Sequence, residues 1–173
     1  LDQGTLVIVC HRSLLTANLL NLGNDILDVL SVDEPMHICA IKDIEDHKQG
    51  IKACLVRIQG ALSTTYQFEC DYTEGFKALQ THNPQVAKQC RLSWGEVIYK
   101  VLESLTAHIV KISSDVAAKS SLLASTPNKA IRITVVPDDP SGANRASWTS
   151  TDHGTFHVLL SAANFSPDQA LHW

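Results

Sequence analysis

Two histidines in the stretch DHGTFH form the pattern that comes closest to a metal site. His153 and His157 lie four residues apart with Asp152 beside them, and on a helix such a pair can bind Zn²⁺. Gly154 and the strand-like surroundings predict a hairpin instead, in which the two side chains share a face but lie about 13 Å apart. We therefore predict no metal site at this position.

Other histidines and cysteines are of the types that bind metals, but their spacing does not predict a ligand set. His37 with Cys39, and His47 with Cys54, have no spacing that demands a metal. Solvated histidines and buried thiols are the ordinary interpretation of such residues.

The sequence also lacks the common motifs of nucleophilic catalysis and phosphate binding. It contains neither a Gly-x-Ser-x-Gly elbow nor a phosphate-binding Gly-Lys-Ser loop. The carboxylate pair Asp138-Asp139 lies in a proline-flanked stretch, which predicts a solvated turn. We assign no catalytic residue from these patterns.

The composition is that of an ordinary globular domain. The chain has 173 residues, of which 45% are hydrophobic and 18% charged, which suits one domain or one domain with a helical appendage. A net charge of -4 gives no reason to expect nucleic acid. The longest apolar run near the start, Leu6 to Val9, is too short to cross a bilayer, so we expect no direct membrane contact.

The cysteines favour an intracellular protein with reduced thiols. They are odd in number, widely spaced and without a Cys-x-x-Cys pair, which argues against a disulfide framework. The five are Cys10, Cys39, Cys54, Cys70 and Cys90.

An apolar seam near the start of the chain predicts a helix that precedes the remaining elements. Its members recur at alternating spacings of four and three residues, with one member a heptad earlier, which is the a/d pattern of a helix that packs lengthwise on others. We predict a helix from about residue 6 to residue 30 whose seam makes the dimer contact. The seam consists of Ile8, Leu15, Leu19, Leu22, Ile26 and Val29.

The remaining chain alternates between helical and strand patterns. This order predicts an α+β fold, with a mixed sheet that carries its helices on one face. The predicted elements are a strand or extended connection at Met36–Lys42, a helix from a cap at Asp43 to Leu62, a strand at Tyr66–Tyr72, a loop at Thr73–Pro84, a helix at Val86–Ile112, a loop at Ser113–Asn128, a strand at Ile131–Val135, a loop at Pro137–Arg145, a strand region at Ala146–Leu160 and a helix start at Ser166-Pro167-Asp168.

Several of these stretches resemble sensor histidine kinases. LLNLGNDILDVLSVDE is similar to the end of their second dimerisation helix, and Arg91-Leu92 with VIYKVLESLTAHIVKIS is similar to their metal-binding helix. IRITV is similar to the first strand of a hairpin, and FHVLLSAANFSPDQAL to the strand and glycine box that follow. The resemblance implies a dimerisation-type helix over residues 1–34. Residues 35–173 would then form a Bergerat-type α/β sandwich that lacks its C-terminal part.

The departures from the family pattern fall on the nucleotide site. Ser104 or His108, depending on the register, replaces the asparagine that binds Mg²⁺ in the family. Leu160 takes the place of the carboxylate that holds adenine, and Ala162 and Asn164 take the places of two glycines. A leucine cannot accept a hydrogen bond, and side chains at glycine positions crowd the pocket. The resemblance therefore implies a vestigial nucleotide site without ATP or Mg²⁺.

The function implied by the resemblance is protein-protein signalling of the two-component type. We expect a homodimer or heterodimer through the N-terminal helix, with a response regulator or partner kinase as a further partner. The expected location is the cytoplasm, within a larger sensor protein. Two alternatives stay open: an active histidine kinase whose motifs are mis-registered or lie outside this chain, and an unrelated intracellular α+β enzyme or interaction domain.

Overall fold

The structure, a computed structural model, describes residues 38–166, with side chains from residue 40 onward. A short 3₁₀ turn, Asp152–Gly154, precedes the last strand of this part. Its helices and strands, in chain order, are α1 (Ile38–Leu62), β1 (Gln67–Cys70), α2 (Tyr72–His82), α3 (Pro84–Cys90), α4 (Trp94–Ile112), α5 (Val116–Ser125), β2 (Ala130–Val136), β3 (Ser147–Ser150) and β4 (Phe156–Ser161).

The four strands form one mixed sheet in the order β1-β2-β4-β3. Strand β2 runs parallel to both β1 and β4, whereas β3 pairs antiparallel with β4. The hairpin therefore joins β3 to β4, and the expectation that IRITV, now within β2, opens the hairpin is wrong. The predicted α+β fold with a mixed sheet is confirmed.

One face of the sheet is buried and the other is not. On β4, Phe156, Val158 and Leu160 alternate as buried residues, and Ile131 and Ile133 do the same on β2. Helix α2 packs against β2. The opposite, outer face carries mostly exposed or half-exposed side chains, with Ala130 and Ser161 buried at its ends, so the apolar core lies on one side of the sheet. The outer-face residues are Glu69, Arg132, Thr134, Val136, Trp148, Ser150, His157 and Leu159.

Helices α1 and α4 form the most extensive helix-helix contact among the described residues. Gly95 of α4 lies against the backbone of Ile44, and further along Tyr99 lies against Gly50. The contacts advance in the same direction on both helices, so the pair is parallel. The predicted apolar stripes of both helices face this contact and the sheet, with Leu55 and Ile112 partly buried and the others buried: Ile51, Ile58, Leu62, Ile98, Val101, Leu105 and Ile109.

Two predicted elements at the start of this region are wrong. Residues 38–42 are helical and form neither a strand nor an extended connection, because α1 already includes Ile38, and Asp43 lies inside this helix instead of capping it. Thr73–Pro84 is not a loop, because α2 spans most of it. The Asp71 side chain accepts a hydrogen bond from the Glu74 backbone N–H at 3.0 Å. Aspartate followed three residues later by glutamate is a capping-box pattern that could have predicted this helix.

The single long helix predicted at Val86–Ile112 is divided in two. Helix α3 ends at Cys90 and α4 begins at Trp94. Trp94 is completely buried, and its indole N–H donates to the Tyr72 carbonyl oxygen at 3.0 Å. The break between the helices places Trp94 in this contact with Tyr72. Apolar spacing along the sequence cannot predict such a contact between distant residues.

Two further predictions, at Ser113–Asn128 and Ala146–Leu160, need correction. The first segment holds helix α5, which the Asp115 side chain caps by accepting from the N–H groups of Ala117 and Ala118. The second is two strands joined through the 3₁₀ turn. The strands β1 and β2 and the loop at 137–145 lie where they were predicted.

Some predictions lie outside the described residues. They are the N-terminal helix with its seam, Ile8, Leu15, Leu19, Leu22, Ile26 and Val29, and the helix start at Ser166-Pro167-Asp168 beyond its first residue. Within residues 38–166, no helix has the length and apolar character needed to cross a membrane.

Candidate functional site

The carboxyl ends of the parallel strands β2 and β4 carry the densest group of polar contacts in the described chain. The loop 137–146 follows β2, and residues 162–166 follow β4. Backbone hydrogen bonds hold these segments together, from Ala162 N–H to the Val136 carbonyl at 2.8 Å and from Ala163 N–H to the Pro137 carbonyl at 3.0 Å. Ligands of α/β sheets often bind at this edge, so it is the first place to test for a site.

The buried Asp139 forms an ion pair with the exposed Arg145 at this edge. Its oxygens accept from the guanidinium Nε at 2.9 Å and Nη2 at 3.1 Å, and also from the backbone N–H and hydroxyl of Ser141. These donors hold the pKa of the Asp139 carboxyl well below its usual range, with the Arg145 hydrogen bonds as the largest cause. The prediction of a solvated turn is wrong for Asp139, because the loop folds back and buries it.

Asp138 is exposed and joins the loop to the end of β4. Its Oδ1 accepts from the Asn164 amide at 2.9 Å and from the Asp139 N–H at 2.7 Å. The Asn164 amide also lies 3.1 Å from the Ser161 hydroxyl. These hydrogen bonds join Asp138 of the loop to Asn164, which follows β4. They hold the loop against the end of β4.

Arg145 also connects this cluster to the outer face of the sheet. Its guanidinium carbon lies 5.2 Å from the centre of the Trp148 ring, a cation–π distance. Trp148 in turn pairs with Leu159 across the antiparallel strands. The ion pair and the Trp148 side chain thus contact each other beside the start of β3.

The predicted vestigial nucleotide positions fall into different environments. Leu160 and Ala162 are completely buried at the end of β4, and Asn164 follows them in the polar cluster. On α4, Ser104 is half-buried and His108 is exposed. The positions of the glycine box thus follow one another at the end of β4, two in the core and one in the polar cluster, whereas Ser104 and His108 lie on α4 with partial and full exposure.

The stretch DHGTFH lies in the β3–β4 hairpin, as predicted, but only one of its two histidines is on a strand. His153 lies in the 3₁₀ turn and His157 on β4, within the antiparallel pair. His47 directs Nδ1 to the Asp43 carbonyl oxygen at 2.8 Å, while Cys54 faces the core. Among the described residues, no group of three or more His, Cys, Asp or Glu side chains is arranged to hold a metal ion.

The described cysteines are free thiols that burial makes less acidic. Desolvation raises the pKa of Cys70 to about 12 and that of Cys90 to about 11. Cys54 is also buried and its pKa is raised. Since thiolate is the reactive form, the raised pKa of these thiols lowers their reactivity in the folded protein.

The chain matches no protein-family model, no curated protein and no solved structure with which it was compared. The described residues define the class of fold by themselves: an α+β domain built on a mixed four-stranded sheet. At the carboxyl ends of β2 and β4, six polar side chains form hydrogen bonds mainly with one another: Asp138, Asp139, Ser141, Arg145, Ser161 and Asn164.

Proposed function

We propose that this chain is a noncatalytic, histidine-kinase-like signalling module that acts through dimerisation and contacts with other proteins. The proposal rests on the resemblance in the sequence and on the surroundings of one residue, Leu160. That residue stands where the resembled family has its adenine-binding carboxylate, and here it is part of the apolar core.

The burial of Leu160 supports the loss of nucleotide binding. A carboxylate accepts a hydrogen bond from the adenine amino group, whereas a leucine side chain has no acceptor. Leu160 and Ala162 both have no exposed surface, so core packing occupies positions that a nucleotide would need to approach. The nearby carboxylates do not substitute, because Asp139 is paired with Arg145 and Asp138 binds Asn164.

The finer fold assignment, a two-layer sandwich of the Bergerat type, is part of the same proposal. It is supported by the single buried face of the sheet and by the parallel pair of helices α1 and α4. Two features depart from the family order: residues 38–42 are helical where a strand or extended connection was expected, and β2 lies parallel to β4. These departures favour the second candidate, an unrelated α+β enzyme or interaction domain.

Calorimetric titration of the full chain with Mg-ATP tests the first part of the proposal. We expect no saturable heat, because Leu160 leaves no carboxylate at the position that would hold the adenine amino group. Saturable binding at micromolar nucleotide would overturn the noncatalytic assignment and favour the active-kinase alternative. ADP and Mg²⁺ alone serve as controls for nonspecific heat.

The oligomeric state of the full chain tests the second part. Light scattering after size exclusion should give a dimer for the natural sequence and a monomer for Leu19→Asp and Ile26→Asp, because a charge at an a/d position disrupts a helical seam. Asn21→Asp, off the seam, is the matched control and should remain dimeric. A natural chain that is monomeric at all concentrations contradicts dimerisation through this segment.

Thermal unfolding of the same variants separates the two candidates. If residues 8–29 form a dimerisation helix, the seam variants should lose the dimer and keep a cooperative transition from the α+β domain. If they belong to one globule with it, the variants should lose that transition as well. The second result would favour the unrelated domain.

A further inference from the structure

We draw no further inference here: the strongest candidate, the half-exposed outer face of the sheet around Trp148 and Leu159, carries nothing because no feature of the described residues shows what covers it.

Discussion

Asp43 on helix α1 caps helix α4 by accepting a hydrogen bond from the Glu96 backbone N–H, with Oδ2 3.0 Å from the nitrogen. Ser93 occupies the N-cap position of α4, but its side chain makes no capping hydrogen bond. The first turn of α4 therefore depends on a side chain that another helix supplies. His47, one turn along α1, lies 3.3 Å from the other oxygen of Asp43.

Replacement of Asp43 should destabilise the domain more than replacement of the residue at the cap position itself. We expect Asp43→Ala to lower the free energy of unfolding by about 1 kcal/mol, the usual value of a side-chain cap. Ser93→Ala should cost much less, and Asp46→Ala, exposed on the same helix, should be nearly neutral. Urea denaturation of the three variants measures this order, and a larger loss for Ser93→Ala would contradict it.

Two glycines in the same helix pair should respond in opposite directions to alanine. A Cβ atom on Gly95 would lie 2.6 Å from both Cα and N of Ile44, and these backbone atoms can move only if the helices separate. Gly95→Ala should therefore lower the melting temperature. Gly60→Ala is the matched control, since a Cβ atom there meets nothing within 4 Å; it should add about 0.5 to 1 kcal/mol through helix propensity. Equal effects at both sites would exclude the close α1–α4 approach.

Neighbouring leucines on β4 should differ sharply in their contribution to stability. Leu160 is completely buried, whereas Leu159 is half-exposed on the outer face. We expect Leu160→Ala to cost about 2 to 5 kcal/mol, because it removes a core side chain and leaves a cavity. Leu159→Ala should cost less than about 1 kcal/mol. Chemical denaturation measures both, and the reverse order would mean that the strand faces are exchanged.

The ion pair between Asp139 and Arg145 should make stability depend on acid pH. The folded-state pKa of Asp139 lies below its ordinary value of 3.8. Its stabilising contribution is therefore complete above that ordinary value and is lost as the pH falls through it toward the folded-state pKa. Asp139→Asn should be less stable than the natural chain at neutral pH, and the difference should shrink below about pH 4.

Unfolding free energies of the two proteins, measured across the acid range, check this dependence. Asp138→Asn, which alters the exposed neighbouring carboxylate and leaves the Asp139–Arg145 ion pair in place, is the control. A difference between Asp139→Asn and the natural chain that stays constant with pH would contradict the ion pair.

The buried thiols should make the domain less stable in alkali. The pKa of Cys90 is raised to about 11 from 9.0 in the folded chain, so the unfolded chain loses this proton first. The resulting stabilisation is present below about pH 9 and is lost as the pH rises through the folded-state value. Cys90→Ala should flatten this alkaline loss, and native-state alkylation at mildly alkaline pH should leave the Cys90 peptide unmodified. Rapid modification of that peptide without unfolding would contradict its burial.

Apolar periodicity alone was sufficient for the elements whose buried residues repeat regularly. The stripes of α1 and α4 and the alternation at Ile131 and Ile133 follow from helix and strand geometry, so they appear in the printed residues. The same sequence suggested a loop where α2 lies, although Asp71 and Glu74 carry the capping signal. The mixed α+β class could thus be predicted, whereas several boundaries could not.

The partners of the polar residues were decided by the tertiary structure. Asp43 was expected to start its own helix, yet it caps α4 from within α1, and Asp139 was expected in solvent, yet it is buried against Arg145. Local sequence shows which groups can donate, accept or be buried. The packing of distant segments decides which of these groups come into contact. A carboxylate can bind water, the backbone of its own helix or the backbone of a neighbouring helix with similar local geometry.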